Sequence, residues 1–449
     1  MRINEKLIIP EDNPFQNDIL DREKIADNLE AIIGISKGSL VLSIDSGWGK
    51  GKTTFINMWR KKLQSSDKYK TLYFNAWEND DSEDSLLSLV AEMEETLFAK
   101  NLKDATLQRI KTTSKALLKK SVPIALKIAT QGLLDLEKVN LGESTEKGIA
   151  EIVGKLGEIE LKNYKSQKIA KTKFKEALTE YQMKENKKII FFIDELDRCR
   201  PTYAIETLER IKHLFDIDNY IFILALDKEQ LAYSIQTLYG QKMDSVGYLR
   251  RFIDIEFKLP EPDRETFTEL LLEKYQLKNN KTKHFENYLK LAIESHKLSL
   301  RDIEKLFLCL RLVIPRTQLF DSEEKYKAIY LQTLGVVYSI FPVLKIKHGE
   351  LFDKFVKKEY NSSEILDAMR VNQIDEKIER TYYKDTITKI ISLNQQLGKN
   401  DINWEHYSIG PGENNDPLFN YTVRLSFLLA NDKELKFIKE LEFTEKFSL

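Results

Sequence analysis

Residues 39–57 read SLVLSIDSGWGKGKTTFIN: an apolar run, a turn crowded with glycine, then the start of a helical pattern. Three of the chain's 17 glycines fall within 47–51. The apolar run SLVLSID (39–45) has the length and flanks of a buried strand, and FINMWRKKLQ (55–64) reads as a helix. A strand that feeds a helix through such a loop commits the chain to an α/β arrangement. The loop approaches the pattern G-x-x-x-x-G-K-[ST] as Ser46-Gly47-Trp48-Gly49-Lys50-Gly51-Lys52-Thr53. Its first position is serine, which is small but less free than glycine at unusual backbone angles. The glycines let the main chain wrap a phosphate with its N–H groups pointing inward, and the helix N-terminus adds partial positive charge. Ser46 to Thr54 are therefore the candidate nucleotide contacts. Lys52 is expected at the β- and γ-phosphates and the Thr53 hydroxyl at Mg²⁺. The competing reading is a glycine-rich turn with a chance lysine.

A phosphate loop needs an acid at the end of another buried strand. IIFFIDELDR (189–198) supplies one: Asp194 falls where strand meets loop and is expected to hold Mg²⁺, through water. Glu195 follows at once, and a carboxylate there can orient and polarise an attacking water.

Other strand signals are KTLYFNAW (70–77), KKIIFFID (187–194), NYIFILALD (219–227) and RFIDIEFKLP (251–260), with helices between them, notably TYAIETLERIKHLF (202–215). Such alternation predicts a parallel sheet covered on both faces. QNDILDREKIADNLEAIIGISK (16–37) reads as one amphipathic helix ahead of the first strand. From 82 to 186 glycine thins, Lys and Glu crowd in, and helical periods dominate. This is a helical insertion, either packed on the domain or serving as a partner-docking or membrane-surface hairpin around SVPIALKIATQGLLDL (121–136). After 262 helices prevail, including ETFTELLLEKYQL (265–277) and SLRDIEKLFLCLRLVI (299–314), with a surface loop at GPGENNDP (410–417). The expected division is a core of 1–81 and 187–262, the insertion 82–186, a lid-like helical domain 263–345, and a mostly helical C-terminal domain 346–449.

Composition narrows the class. With 70 Lys plus Arg against 71 Asp plus Glu, no global field draws the chain to nucleic acid or membrane. The lysine run KIAKTKFK (168–175) reads as a solvated helical face. Cys199 and Cys309 cannot build a disulfide framework, five scattered histidines offer no metal spacing, and MRINEKLIIPEDNPF has no signal-peptide core. The longest apolar run, LGVVYSIFPVL (334–344), is too short to span a bilayer and reads as a buried helix. A cytoplasmic protein without integral membrane segments is expected. Asn186-Lys187-Lys188-Ile189 lacks the acid of a guanine-reading NKxD motif, which tilts toward ATP, and no ABC-type signature is present.

Together GWGKGKTTFIN (47–57), YFNAWEND (73–80), FFIDELDRC (191–199), FILALDKEQL (222–231) and YLRRFIDIEFKLP (248–260) resemble the KAP family of P-loop NTPases in order and spacing, over about residues 12–315. The resemblance implies a P-loop NTPase core with a parallel five-stranded sheet of order 5-1-4-3-2, which sets the 219–227 strand between those of the phosphate loop and Asp194. Many members carry two transmembrane helices between the Walker motifs; this chain resembles a member without them. The family reading places Asp227 as a γ-phosphate sensor or merely a cap, and Arg250 or Arg251 as an arginine finger, across a subunit boundary, or a surface ion pair. Arg301 becomes a sensor arginine or none, and Asp197 and Arg198 match the family's DR pair, bracing the site or pairing with each other. Trp77 reads as structural packing, and Trp48 as a shield for nucleotide or an anchor for its loop.

The function expected is a Mg²⁺-dependent ATPase acting as a conformational switch or motor in a larger assembly, with protein partners or further copies of itself, in the family sometimes in bacterial anti-phage systems. The alternatives are a nucleotide-gated scaffold with negligible turnover and a P-loop small-molecule kinase.

Overall fold

The computed structural model describes residues 8–82, 84–99, 103–117, 145–278, 283–317, 327–371 and 378–396. Its contacts divide into two units: Leu7–Trp48 with Lys52–Pro260, and Gly49–Gly51 with Glu261 onward.

The first unit runs α1 (Glu23–Ile35), β1 (Leu40–Asp45), α2 (Lys52–Gln64), β2 (Tyr69–Asn75), α3 (Ser85–Leu97), α4 (Ala105–Leu117), α5 (Thr145–Glu185), β3 (Lys188–Asp194), a 3₁₀ turn (Leu196–Arg198), α6 (Pro201–Leu214), β4 (Tyr220–Leu226), α7 (Lys228–Tyr239), α8 (Ser245–Leu249) and β5 (Ile255–Lys258). The five strands form one parallel sheet of order β2-β3-β4-β1-β5, the expected order read from the opposite edge. β4 lies between β1 and β3.

Strand sequence explains the layers. Successive side chains leave opposite faces, so a strand apolar at every position must be covered twice. Phe191 and Ile193 of β3, with Phe222 and Leu224 of β4, pack under α3 to α7. Ile190 and Phe192, with Ile221 and Ile223, pack with Leu42 and Ile44 of β1 under α1 and α2. Trp59 of α2 anchors that second layer, fully buried, 6.0 Å from the Phe55 ring and edge-on to Phe192 at 5.5 Å. Because the strands run parallel, β1, β3 and β4 deliver their carboxyl ends to one edge: Asp45 pairs in register with Leu226, and Asp194 with Asn75 and Ala225. Open parallel sheets bind their ligands at that edge.

Two elements differ from the sequence reading. The helix expected over 16–37 starts only at Glu23. Asp18 accepts the backbone N–H of Glu23 at 3.0 Å and also that of Arg22, so the preceding chain is held as a cap and not as a helical turn. The strand expected over 251–260 shrinks to Ile255–Lys258, because residues 250–253 still turn off the end of α8, with Phe252 N–H on the Leu249 carbonyl at 3.0 Å.

The second unit is helical: α9 (Arg264–Lys274), α10 (Lys283–Ser295), α11 (Leu300–Thr317), α12 (Lys327–Lys347), α13 (Gly349–Lys357), α14 (Ser362–Ala368) and α15 (Ile378–Gln396). Asp263 caps α9, accepting from the Glu265 and Thr266 N–H groups at 3.0 and 3.2 Å. Tyr288 stacks on Tyr383 and Phe341 packs on Phe355. The 334–344 run lies in α12, with Val336, Val337 and Ile340 to Leu344 buried, Pro342 included. Among the described residues no helix is long and apolar enough to cross a membrane. The apolar stretch 121–136 and the loop 410–417 lie outside the described residues.

Because Trp59 fills the layer between α2 and the sheet, Trp59→Ala should lower the unfolding free energy by about 3–5 kcal/mol. Denaturant titration followed by far-ultraviolet circular dichroism measures it; a loss below about 1 kcal/mol would mean that this layer is not close-packed.

Candidate functional site

The turn between β1 and α2 is shaped by two glycines. Gly49 and Gly51 take φ of +72° and +83°, values that a side chain disfavours, whereas Gly47 and Ser46 do not. Serine at the first position of the pattern is thus no obstacle: Ser46 is buried with its N–H on the Leu226 carbonyl at 3.2 Å. Lys52 opens α2 and is buried. Its ammonium donates to the Ser46 carbonyl, and to that of Gly47 at 3.5 Å. Burial pushes the Lys52 pKa down, while Asp197, Asp227, Asp194 and Asp45 oppose this in that order. One buried cation among four carboxylates is a compensated arrangement, where an isolated one would shed its proton.

Asp194 ends β3, almost fully buried. Burial raises its pKa; hydrogen bonds from the Thr53 side chain, the Tyr73 hydroxyl and the Glu195 backbone oppose the rise, as does the charge of Lys52. The Tyr73 contact measures 3.0 Å and that of the Glu195 N–H 2.9 Å. Burial beside Asp194 keeps the Tyr73 phenol protonated, pushing its pKa well up. Thr53 and Asp194 bring a hydroxyl and a carboxylate together, the hard oxygen donors that a Mg²⁺ ion takes.

Glu195 is held in the left-handed region at φ +60°, uncommon for a residue with a side chain and a form of strain that clusters at functional positions. Its carboxylate meets Arg198 at 3.0 Å. Arg198 and Asp197 therefore do not resolve into a pair with each other: Asp197 accepts the Trp48 indole N–H at 2.6 Å. The Arg198 guanidinium lies over the Trp48 ring at 5.8 Å and over the Trp77 ring at 5.5 Å. Trp77 is not core packing as its sequence position suggests, since it follows β2 and is 52% exposed. Trp48 anchors its loop. Cys199 is buried, and that burial pushes its thiol up to about 12, which keeps it protonated.

Asp227 caps α7 through the Gln230 N–H at 3.2 Å while adding charge beside Lys52. Arg250 and Arg251 flank the end of α8, both exposed, with Arg251 over the Tyr248 ring. Thr54 is exposed in the first turn of α2. Within the second unit Lys50 pairs with Glu261, and Arg301, in the first turn of α11, donates its backbone N–H to the Gly49 carbonyl at 3.3 Å.

Two residues escaped the sequence reading. Asp45 ends β1, accepts the Lys228 N–H at 2.9 Å and adds charge beside Lys52; an apolar run ending in acid, the signal used for Asp194, was equally visible there. Tyr73 gave only the weaker signal of a polar-tipped aromatic near a strand end.

A positive-φ glycine loop between strand and helix, with its lysine beside the acid that ends a parallel strand one removed in the sheet, defines a P-loop nucleotide-binding protein. The model of the KAP family P-loop domain matches residues 22–328, and the chain belongs to that family. It is similar to the phage T7 exclusion protein of Escherichia coli strain K12, 23% identical over 270 residues, 54% of this chain and 34% of that protein. The match therefore spans about a third of that relative's length. Among solved structures, the ORC2 protein of Aeropyrum pernix aligns over 96% of this chain and 98% of its own at 13% identity and a TM-score of 0.34. Cdc6p of Pyrobaculum aerophilum aligns over 88% and 98% at 10% identity and a TM-score of 0.38.

The Tyr73 hydroxyl donates to a buried carboxylate, so Tyr73→Phe should lower the unfolding free energy by about 1.5–3 kcal/mol. Chemical denaturation of the two proteins measures this; equal stability would show that the phenol does not support Asp194.

Proposed function

We propose that the chain is a Mg²⁺-dependent ATPase whose cycle works a conformational switch or motor in a larger assembly. The convergence of Lys52, Thr53 and Asp194 at the carboxyl edge of the sheet carries this reading. Gly47 to Thr54 bind the phosphates through main-chain N–H groups, and Lys52 moves its ammonium from the Ser46 carbonyl to the β- and γ-phosphate oxygens. Thr53 and Asp194 would hold Mg²⁺, which would supply neutralisation of the phosphate charge. Glu195 orients and polarises the attacking water. Asp227 senses the γ-phosphate, Arg250 or Arg251 neutralises charge developing on it, and Arg301 serves as the sensor arginine, all on the family resemblance. The core of 1–81 and 187–262 carries the chemistry, with 82–186 inserted, 263–345 as a lid and 346–449 as a further helical domain. The absence of a guanine-reading motif supports ATP, and the presence of only two cysteines supports work in the cytoplasm.

Glu195→Gln should keep ATP binding and lower kcat by about 100-fold or more. Steady-state phosphate release beside equilibrium ATP titration measures both; unchanged turnover contradicts the role of Glu195. Labelled ATP should yield inorganic phosphate, whereas a labelled acceptor would establish a kinase. The likeness to the phage T7 exclusion protein further supports an anti-phage role. Expressed in Escherichia coli, the chain should then reduce T7 plaque counts and its Lys52→Ala form should not; equal counts contradict that role.

A further inference from the structure

The segment from Glu195 to Arg200 leaves β3 and enters α6, and the mechanism above uses only its first residue. Arg198 is left over, yet it is held by a carboxylate and two aromatic rings. Its guanidinium meets the Glu195 carboxylate at 3.0 Å and lies over two indole rings, Trp48 and Trp77. Trp48 belongs to the phosphate loop and is tied to the same segment a second time by its N–H on Asp197. Both indoles are about half exposed, 49% and 52%, so core burial does not account for them.

We propose that Arg198 is the positioning residue for Glu195: its guanidinium, gripped between Trp48 and Trp77, fixes where the water-orienting carboxylate points and joins it mechanically to the phosphate loop. The inference rests on the reading of Glu195 given above.

Three physical points carry it. A free glutamate side chain spreads over many rotamers, and fixing one such chain costs up to about 2 kcal/mol, so a carboxylate that must meet a water in one geometry needs a tether. An exposed ion pair is a poor tether, but the Arg198 and Glu195 side chains are only 23% and 16% exposed, and the rings immobilise the cation. A planar guanidinium can stack on rings and still offer its edge to a carboxylate, which a lysine ammonium cannot do. Three neighbouring contacts leave the carboxylate to Arg198: Asp194 takes the Glu195 backbone N–H, Tyr73 donates to Asp194, and the Cys199 thiol meets the Glu195 carbonyl at 3.6 Å.

The test is steady-state ATP hydrolysis and ATP affinity of the full chain. Arg198→Gln should lower kcat roughly tenfold or more while leaving ATP affinity unchanged. Arg198→Lys should recover part of that loss, since it keeps the charge and loses the stack. Trp77→Leu, which removes one ring without touching the phosphate loop or Asp194, should lower kcat in the same sense and add nothing on top of Arg198→Gln. On a Glu195→Gln background Arg198→Gln should cause no further loss. Arg200→Gln, which breaks the neighbouring pair with Asp80, is the structural control and should keep kcat. Full kcat in Arg198→Gln, or losses that multiply with Glu195→Gln, overturns the inference. Failure of the underlying reading has a different signature: Glu195→Gln alone would then leave turnover unchanged.

Discussion

The structure turns on one buried ammonium. Lys52 opens α2 from inside the protein, at the edge where three parallel strands end, and four carboxylates surround it. Without them a lysine so placed would lose its proton; without it, the buried Asp194 would be pushed toward its neutral form. The arrangement exists because the sheet is parallel. Strands that all run one way deliver their terminal residues to one edge, so Asp45 and Asp194, with Asp227 just beyond β4, gather there although the sequence separates them widely. The apolar interiors of β3 and β4, buried on both faces, carry that edge.

Around this charge centre the backbone is bent where it must be. Gly49 and Gly51 take left-handed angles at no steric expense, while Glu195 takes one in spite of its side chain. Strain of roughly 1–3 kcal/mol at one residue persists only when the surroundings fix it, and here they do. The Glu195 N–H is on Asp194, and its carboxylate is on Arg198. The Trp48 and Trp77 rings lie against that guanidinium, so the phosphate loop and the Asp194 strand are joined by aromatic contact as well as by charge.

Much of this was legible in the residues. Strand–glycine–helix spacing located the loop, the acid-terminated run at 189–194 located its partner, and the family resemblance gave the strand order, which the register confirms. Local patterns read well where burial dictates them, as in β3 and β4. They failed where a local contact overrode periodicity: Asp18 holds back the start of the first helix to Glu23, and the backbone turn after α8 consumes the start of the last strand. Long-range contacts were not legible at all. Nothing in YFNAWEND says that its tyrosine reaches Asp194 or that its tryptophan lies against an arginine more than a hundred residues on. Roles for Arg250, Arg251 and Arg301 came from resemblance, and exposed side chains at the first two leave few local contacts from which to read one.

The central claim is that Lys52, Thr53 and Asp194 make one phosphate and metal site. Its most direct measurement is calorimetric titration of a non-hydrolysable ATP analogue into the full chain, with magnesium and with chelator, for the wild type and for Asp194→Asn. The account predicts wild-type binding that weakens on chelation, by about tenfold or more, and a variant whose remaining affinity no longer depends on the metal. No uptake by the wild type, or full magnesium dependence in Asp194→Asn, would contradict it.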